Sequence, residues 1–123
     1  MIAELDEITF KQLIFDYTHG GYWKFKGVKP TIINFYSPWS ESCKMMETGL
    51  KELSEEYVGF MDFYKVNTSI SVELIREFRI TSVPALLFIP PNGMPEMSVG
   101  ALPKSDIEEA RQCYTHENNP KTN

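Results

Sequence analysis

The central stretch of the chain reads Thr31-Ile32-Ile33-Asn34-Phe35-Tyr36, followed by Ser37-Pro38-Trp39-Ser40-Glu41-Ser42-Cys43-Lys44. The first six residues are mostly β-branched or aromatic, which is typical of a strand covered on both faces at the centre of an α/β sheet. Pro38 then turns the chain. Apolar residues recur at helical spacing beyond it and predict a helix over about residues 41–57: Met46, Leu50, Leu53 and Tyr57.

The rest of the chain alternates helices and strands around this unit. Helices are predicted at residues 5–18, 41–57, 72–78 and from 105 to about 114, and strands at 31–36, 60–66, 85–89 and 97–100. The turn chemistry of Pro90-Pro91-Asn92-Gly93 makes the last two strands an antiparallel pair, and Ser105-Asp106-Ile107-Glu108 has the form of a capping box. This order predicts an α/β sandwich with a central mixed sheet of four to five strands and helices on both faces.

Composition and charge exclude several classes of function. A length of 123 residues is that of one domain, and a net charge of −5 without a basic cluster argues against nucleic-acid binding. The longest apolar run, residues 85–89, is too short to span a membrane. The acidic start, residues 1–7, lacks the basic and apolar regions of a signal peptide, so we expect a soluble cytoplasmic protein; an exported form whose signal peptide has been trimmed is the alternative.

The two cysteines, Cys43 and Cys113, lie 70 positions apart and do not form a disulfide framework. Two isolated cysteines do not assemble the four-ligand set of a structural zinc site, so we expect no metal and no cofactor. His19 and His116 are expected to be exposed.

Five segments of the chain, in this order and spacing, resemble the thioredoxin family. They are residues 33–39, 40–44, 64–67, 80–84 and 99–102. The second replaces the family's Cys-Gly-Pro-Cys-Lys motif, the fourth carries Pro84 at the position of the family's cis-proline, and the fifth matches the glycine loop that closes the site. The resemblance covers about residues 4–112. It implies a thioredoxin-like domain at residues 1–115, followed by a polar, disordered tail at 116–123.

The resemblance also implies a degenerate active site, with Cys43 as its cysteine and Ser40 in the position of the attacking thiol. Dithiol exchange needs an attacking thiolate and a second thiol that resolves the mixed disulfide. The Ser40 hydroxyl would need a strong base to remove its proton, and the neighbouring Glu41 is a poor base for an alcohol. We therefore expect lost oxidoreductase activity, with Ser40 or Ser42 serving as a helix N-cap. Whether the chain is an enzyme stays open, because Cys43 is either an inert, partly buried thiol or a monothiol redox site that forms mixed disulfides with glutathione or a partner.

Another interpretation treats Ser40 as an engineered replacement of cysteine in an active thioredoxin. Three further departures favour natural loss instead: Glu41-Ser42 replaces Gly-Pro, Asn34 replaces a buried aspartate that assists proton transfer, and Thr48 replaces a kink proline, although Gly49 beside it still lets the helix bend. Cys113, in the last helix, is expected to lie too far from Cys43 for a disulfide.

The same resemblance implies that the residues of the peptide-binding groove, which take no part in the redox chemistry, are retained. Trp39, Val83-Pro84 and Val99-Gly100 would line a shallow groove in which the backbone of Val83 pairs with an extended peptide. The leading hypothesis is therefore a non-covalent module that binds a peptide or protein at this groove, with a partner that is neutral or basic near Glu41. The alternative is that Trp39 packs against its own domain and the groove is a relic.

Overall fold

The computed structural model describes residues 2–117, and for residues 111–117 it describes only the backbone of the last helix. In chain order the elements are β1 (Ala3–Glu4), α1 (Glu7–Leu13), a 3-10 turn (Tyr17–His19), β2 (Thr31–Tyr36), α2 (Glu41–Glu56), β3 (Asp62–Asn67), α3 (Val72–Phe78), β4 (Ala85–Ile89), β5 (Glu96–Val99) and α4 (Lys104–Glu117). The predicted α/β class is confirmed.

The described strands form one mixed sheet in the order β1-β3-β2-β4-β5. Strands β1 and β2 pair parallel to β3, whereas β4 pairs antiparallel to both β2 and β5. Strand β2 is central, and residues 31–35 are buried. The mostly β-branched and aromatic composition of this strand is thus explained, because residues 31–35 are covered on both faces of the sheet.

The side chains of β2 alternate between two core layers. Ile33 and Phe35 pack with Phe10 of α1 and Leu74 of α3, whereas Ile32 packs with Leu50 of α2 and Ile107 of α4. The predicted arrangement, with helices on both faces of the sheet, is therefore confirmed. Because alternate residues of a strand share a face, Asn34 lies on the same side of the sheet as α2.

Local sequence patterns misplaced several element ends. Helix α1 ends at Leu13 instead of continuing to Thr18, since the Asp16 carboxylate accepts a hydrogen bond from the backbone N–H of Thr18 at 3.1 Å and holds a separate 3-10 turn. Strand β3 begins at Asp62 and leaves Phe60 exposed, and β5 begins and ends one residue early. The two-residue strand β1 was not predicted, because it is too short to show a period.

The prediction for the start of the last helix was also wrong. Helix α4 begins at Lys104, so Ser105 lies inside its first turn, and the Pro103 carbonyl accepts the backbone N–H of Ile107. The helix continues past Tyr114 to Glu117 and includes His116, which had been assigned to a tail. The remainder of the predicted tail, residues 118–123, lies outside the described residues, as does the side chain of Cys113 with its expected separation from Cys43.

Helix α3 ends on a residue whose backbone conformation suits glycine. Arg79 has φ 54° and ψ 49°, and its N–H bonds to the carbonyls of Ile75 and Arg76. The left-handed conformation costs a residue with a Cβ about 1–2 kcal/mol.

We predict that Arg79→Gly raises the free energy of unfolding by about 1 kcal/mol, because glycine adopts this conformation without the steric cost. Chemical denaturation provides the measurement. The control is Arg76→Gly inside the same helix, which should lower stability by about 1 kcal/mol. An Arg79→Gly variant that is less stable than the parent would contradict the prediction.

Candidate functional site

The candidate site begins in the turn between β2 and α2, which is held by hydrogen bonds over residues 37–44. The Ser37 carbonyl accepts the N–H of Ser40 at 3.2 Å, and the Ser37 hydroxyl accepts the N–H of Trp39 at 3.2 Å. The Ser40 hydroxyl then accepts the N–H of Cys43 at 3.2 Å. Ser40, and not Ser42, is therefore the N-cap of α2, and it satisfies a backbone donor that the first turn leaves unpaired.

Cys43 lies in the first turn of α2 and is 5% exposed. Its Sγ accepts a weak hydrogen bond from the backbone N–H of Ser37 at 3.4 Å. The thiol is free, and the residue three positions before it in the motif offers a hydroxyl in place of a second sulfur. The motif therefore has no partner with which Cys43 could form a disulfide.

The residues predicted to line the peptide groove meet at one end of the sheet. Phe35 of β2 pairs with Ala85 of β4, which in turn pairs with Val99 of β5. Consequently the segment after β2, the segment before β4 and the segment after β5 share this end. The Gly100 N–H donates to the Pro84 carbonyl at 2.8 Å and ties two of these segments together.

Exposed side chains and unused backbone groups are found among the residues predicted to line the peptide groove. Trp39 is 81% exposed, so the alternative in which it packs against its own domain is wrong, and Val99 is 61% exposed. The Val83–Pro84 peptide bond is cis, and no hydrogen bond among the described residues uses the backbone N–H or carbonyl of Val83. Gly100 has φ 104°, which glycine adopts readily and other residues avoid.

Asn34 occupies the position where the resemblance places a buried aspartate. It is 8% exposed, and its Oδ1 has no hydrogen-bond partner among the described residues. Its neighbour across β3 is Lys65. An amide does not titrate, so this position provides no carboxylate that could take a proton from Cys43.

A second opening, which sequence reasoning missed, lies between α2 and the β2–β3 pair and encloses about 590 Å³. We call it the α2–β3 groove. Cys43, Asn34 and Tyr36 lie on its walls, together with a charged stripe of α2 and one lysine of β3: Lys44, Glu47, Lys51, Glu55 and Lys65. Nothing in the sequence indicated that these charged residues of α2 edge a groove.

Helix α2 also carries Gly49, which was expected to let the helix bend in place of the kink proline. The helix is continuous over Glu41–Glu56, and a Cβ added at Gly49 would lie 3.2 Å from the Cβ of Lys104. Glycine at this position therefore allows α4 to approach α2 closely. Lys104 in turn bonds to Glu56 at 2.6 Å.

Neither a metal centre nor a membrane span is found in the part of the chain that the structure describes. No three His, Cys, Asp or Glu side chains within residues 2–110 converge as metal ligands would. Likewise, none of the described helices combines the length and the apolar character needed to cross a bilayer.

We predict that Ser40→Ala lowers the free energy of unfolding by about 1 kcal/mol, because it leaves the Cys43 N–H without its cap. Ser40→Asp should restore most of this loss, since a carboxylate also caps and suits the positive end of the helix. Ser42→Ala, which removes a hydroxyl that makes no cap, is the matched control. Equal losses for Ser40→Ala and Ser42→Ala in urea unfolding would refute this role of Ser40.

We further predict that Asn34→Leu raises the free energy of unfolding by about 1 kcal/mol, because a buried oxygen without a partner is replaced by an apolar group of similar shape. Asn67→Leu is the control on the neighbouring strand. There the Asn67 Oδ1 accepts the N–H of Ser69 at 2.8 Å, so its removal should destabilise the fold. The same sign for both variants in chemical denaturation would show that Asn34 is not an uncompensated polar group.

Comparison with known proteins agrees with this architecture. The thioredoxin family model matches residues 24–112. Thioredoxin of Borreliella burgdorferi is 38% identical over 108 residues, which cover 88% of this chain and 92% of that protein. The M-type chloroplastic thioredoxin of Spinacia oleracea is 32% identical over 85 residues, covering 69% of this chain and 47% of that protein.

Among solved structures, the crystal structure of chloroplastic thioredoxin z superposes with a TM-score of 0.79 at 18% identity and covers 93% of this chain and 94% of that chain. The predicted thioredoxin-like fold is thereby confirmed. Taken with the family match and the bacterial relative, the comparison leads to one conclusion: the chain belongs to the thioredoxin family.

Proposed function

We propose that this thioredoxin-family chain has lost dithiol–disulfide exchange and binds an extended protein segment non-covalently at the groove of Trp39, Val83, Pro84, Val99 and Gly100. One observation carries the proposal: the position of the attacking thiol holds Ser40, whose hydroxyl is engaged in capping α2 through the N–H of Cys43. A natural loss of activity is favoured over an engineered replacement of cysteine at Ser40, because Asn34 and Thr48 also depart from the family pattern.

The loss of exchange follows from the chemistry of the two positions. A disulfide substrate is attacked by a thiolate, and the resulting mixed disulfide is released by a second thiol nearby. No histidine lies near Ser40 in the sequence to remove its proton, and the Ser40 oxygen already accepts a hydrogen bond. Cys43 without a neighbouring thiol has nothing to resolve a mixed disulfide, so a catalytic cycle that returns the enzyme to its reduced state does not close.

Binding at the groove is supported by exposure and by unused backbone groups. Trp39 presents a large, rigid apolar surface of the kind that dominates binding energy at interfaces. Val83 has backbone donor and acceptor groups that an added strand can pair with. The proposed partner is neutral or basic beside Glu41, whose carboxylate lies in the first turn of α2 at the rim.

A second candidate function, monothiol chemistry at Cys43, is favoured by the observation that this residue borders the α2–β3 groove. The relatives do not decide between the two functions, because their names state only that they are thioredoxins. One relative is bacterial and the other is chloroplastic, so these relatives do not determine the cellular compartment of this chain.

The loss of exchange is tested by insulin disulfide reduction with dithiothreitol as the electron donor. We expect the parent chain to reduce insulin no faster than the donor alone, and a variant with Ser40→Cys, Glu41→Gly and Ser42→Pro to reduce it at least about tenfold faster, because the second thiol completes the cycle. Ser40→Ala serves as the control that removes the cap without adding sulfur. A parent chain that turns over insulin at the rate of the triple variant would refute the proposed loss.

Peptide binding is tested by titration with two synthetic peptides that share an alternating valine–threonine core and differ in flanking lysines or glutamates. We expect the lysine-flanked peptide to bind more tightly, and Trp39→Ala to weaken its Kd at least about tenfold, because an exposed aromatic anchor is lost. Val58→Ala, which truncates an exposed apolar residue on another surface, is the control. Unchanged affinity in Trp39→Ala, measured by calorimetry, would place binding elsewhere.

A further inference from the structure

We propose that the α2–β3 groove is a modification site, in which Cys43 accepts one half of a small, negatively charged disulfide such as glutathione disulfide. This inference rests on the second candidate function, monothiol chemistry at Cys43, for which it names the reagent class, and it does not depend on the proposed peptide groove. It rests on three observations: the position of the Cys43 thiol, the Asn34 side chain whose Oδ1 has no hydrogen-bond partner among the described residues, and the charged residues that line the α2–β3 groove.

The α2–β3 groove and the peptide groove lie on opposite sides of β2. In the sheet order β1-β3-β2-β4-β5, the first opening lies toward β3 and the second toward β4 and β5. The lining of the α2–β3 groove includes Cys43, Asn34 and Lys65 but none of Trp39, Val83, Pro84 or Val99. A small molecule can therefore approach the sulfur from the β3 side without entering the surface proposed for a peptide.

The volume of this opening suits a small ligand better than a folded partner. At about 590 Å³ it falls within the range of pockets that hold ligands of drug-like size. Cys43 has little free surface of its own at 5% exposure. A sulfur this recessed favours a small disulfide over one on the surface of a folded protein.

Asn34 is the second, independent indication of a ligand. Its side chain borders the groove, the residue is 8% exposed, and its Oδ1 lacks a hydrogen-bond partner among the described residues. Buried amides are normally satisfied, and half a turn of the side-chain amide exchanges its donor and acceptor ends. A peptide-like ligand next to Cys43 offers an N–H and a carbonyl to this amide, as glutathione would.

The charges around the thiol select for an anion. The lining of the groove contains three lysines, Lys44, Lys51 and Lys65, and two glutamates, Glu47 and Glu55. The lining is therefore more positive than the chain as a whole, whose net charge is negative. None of these lysines is in a salt bridge with a described residue. The Lys65 ammonium group lies 5.6 Å from the centre of the Tyr36 ring.

Tyr36 adds no negative charge to this wall. Its hydroxyl donates to Glu4 at 2.9 Å, and burial together with that carboxylate raises the pKa of Tyr36 to about 12, so the phenol stays neutral at physiological pH. The phenol itself therefore does not compete with the carboxylates of a bound ligand for the groove lysines.

The proposed step is a single thiol–disulfide exchange. Cys43 releases its proton to solvent, and its thiolate attacks one sulfur of the small disulfide. The Cys43–sulfur bond forms as the original sulfur–sulfur bond breaks, and the departing thiolate takes up a proton. Cys43 is oxidised by the reagent, which is reduced to one free thiol. Since Ser40 has no thiol with which to resolve the product, the adduct persists until an external thiol removes it.

The test uses the full chain carrying Cys113→Ser, so that Cys43 is its sole cysteine. Adduct formation is followed by intact mass with three reagents: glutathione disulfide (net anionic), hydroxyethyl disulfide (neutral) and cystamine (cationic). We expect a single adduct that is absent from a Cys43→Ser variant. Relative to the rates that each reagent shows with free cysteine, glutathione disulfide should react about tenfold faster than cystamine, because the lysines attract the anion and repel the cation.

Two sets of variants separate charge selection from simple access. Lys51→Gln and Lys65→Gln should each slow glutathione disulfide about threefold and leave hydroxyethyl disulfide unchanged, because only the charged reagent responds to an ammonium group. Lys24→Gln, on an exposed loop outside the groove, is the matched control and should change neither rate. Asn34→Leu should slow glutathione disulfide while keeping the fold, since the amide is lost from the groove wall.

Three results would overturn the proposal. They are an adduct that forms only in urea, equal normalised rates for the anionic and cationic reagents, and lysine variants that slow the charged and neutral reagents alike. None of these results bears on insulin reduction or on peptide affinity, so failure here is distinguishable from failure of the proposed peptide binding.

Discussion

The hydrogen bond from the backbone N–H of Cys43 to the hydroxyl of Ser40 joins the fold of this chain to its chemistry. A helix that follows directly from a buried central strand begins with unpaired N–H groups, and these attract either a capping oxygen or an anion. The resemblance to the family places a reactive thiol at the capping position. Here a serine hydroxyl occupies that position and caps α2. The proposed loss of dithiol exchange follows from the absence of a thiol at this position.

The central position of β2 divides what remains of the site into two surfaces. On the side of β4 and β5 lie an exposed tryptophan, the cis-proline segment and the glycine loop, which together form a shallow surface suited to an extended chain. On the side of β3 an opening of about 590 Å³ is lined by the thiol, by three lysines and by Asn34, whose Oδ1 lacks a partner in the described part of the chain. The strand therefore separates the approach proposed for an extended partner from the approach proposed for a small disulfide.

Local patterns predicted the central elements well and the peripheral ones poorly. Strands β2 and β4 and helix α3 have the predicted bounds, since each is a short apolar run or a clear helical period between strong turn residues. The first helix was predicted too long because apolar spacing continued to Tyr17, while the side chain of Asp16 redirected the backbone. Strand β1 escaped prediction because two residues carry no period, and its pairing depends on β3, some sixty positions away.

The sequence alone determined which chemical groups this site contains: one cysteine, a serine that caps the following helix, an amide in place of a carboxylate, and the order of segments typical of the family. These follow from residue identity and short-range spacing, which do not change when the chain folds. Only the tertiary structure decided that Trp39 faces solvent and that Cys43 borders a groove on the β3 side. It also decided that the Asn34 side chain is buried and that its Oδ1 meets no hydrogen-bond partner among the residues described. Each depends on how β2, β3 and α2 pack against one another, and burial and access are set by contacts between residues far apart in the chain.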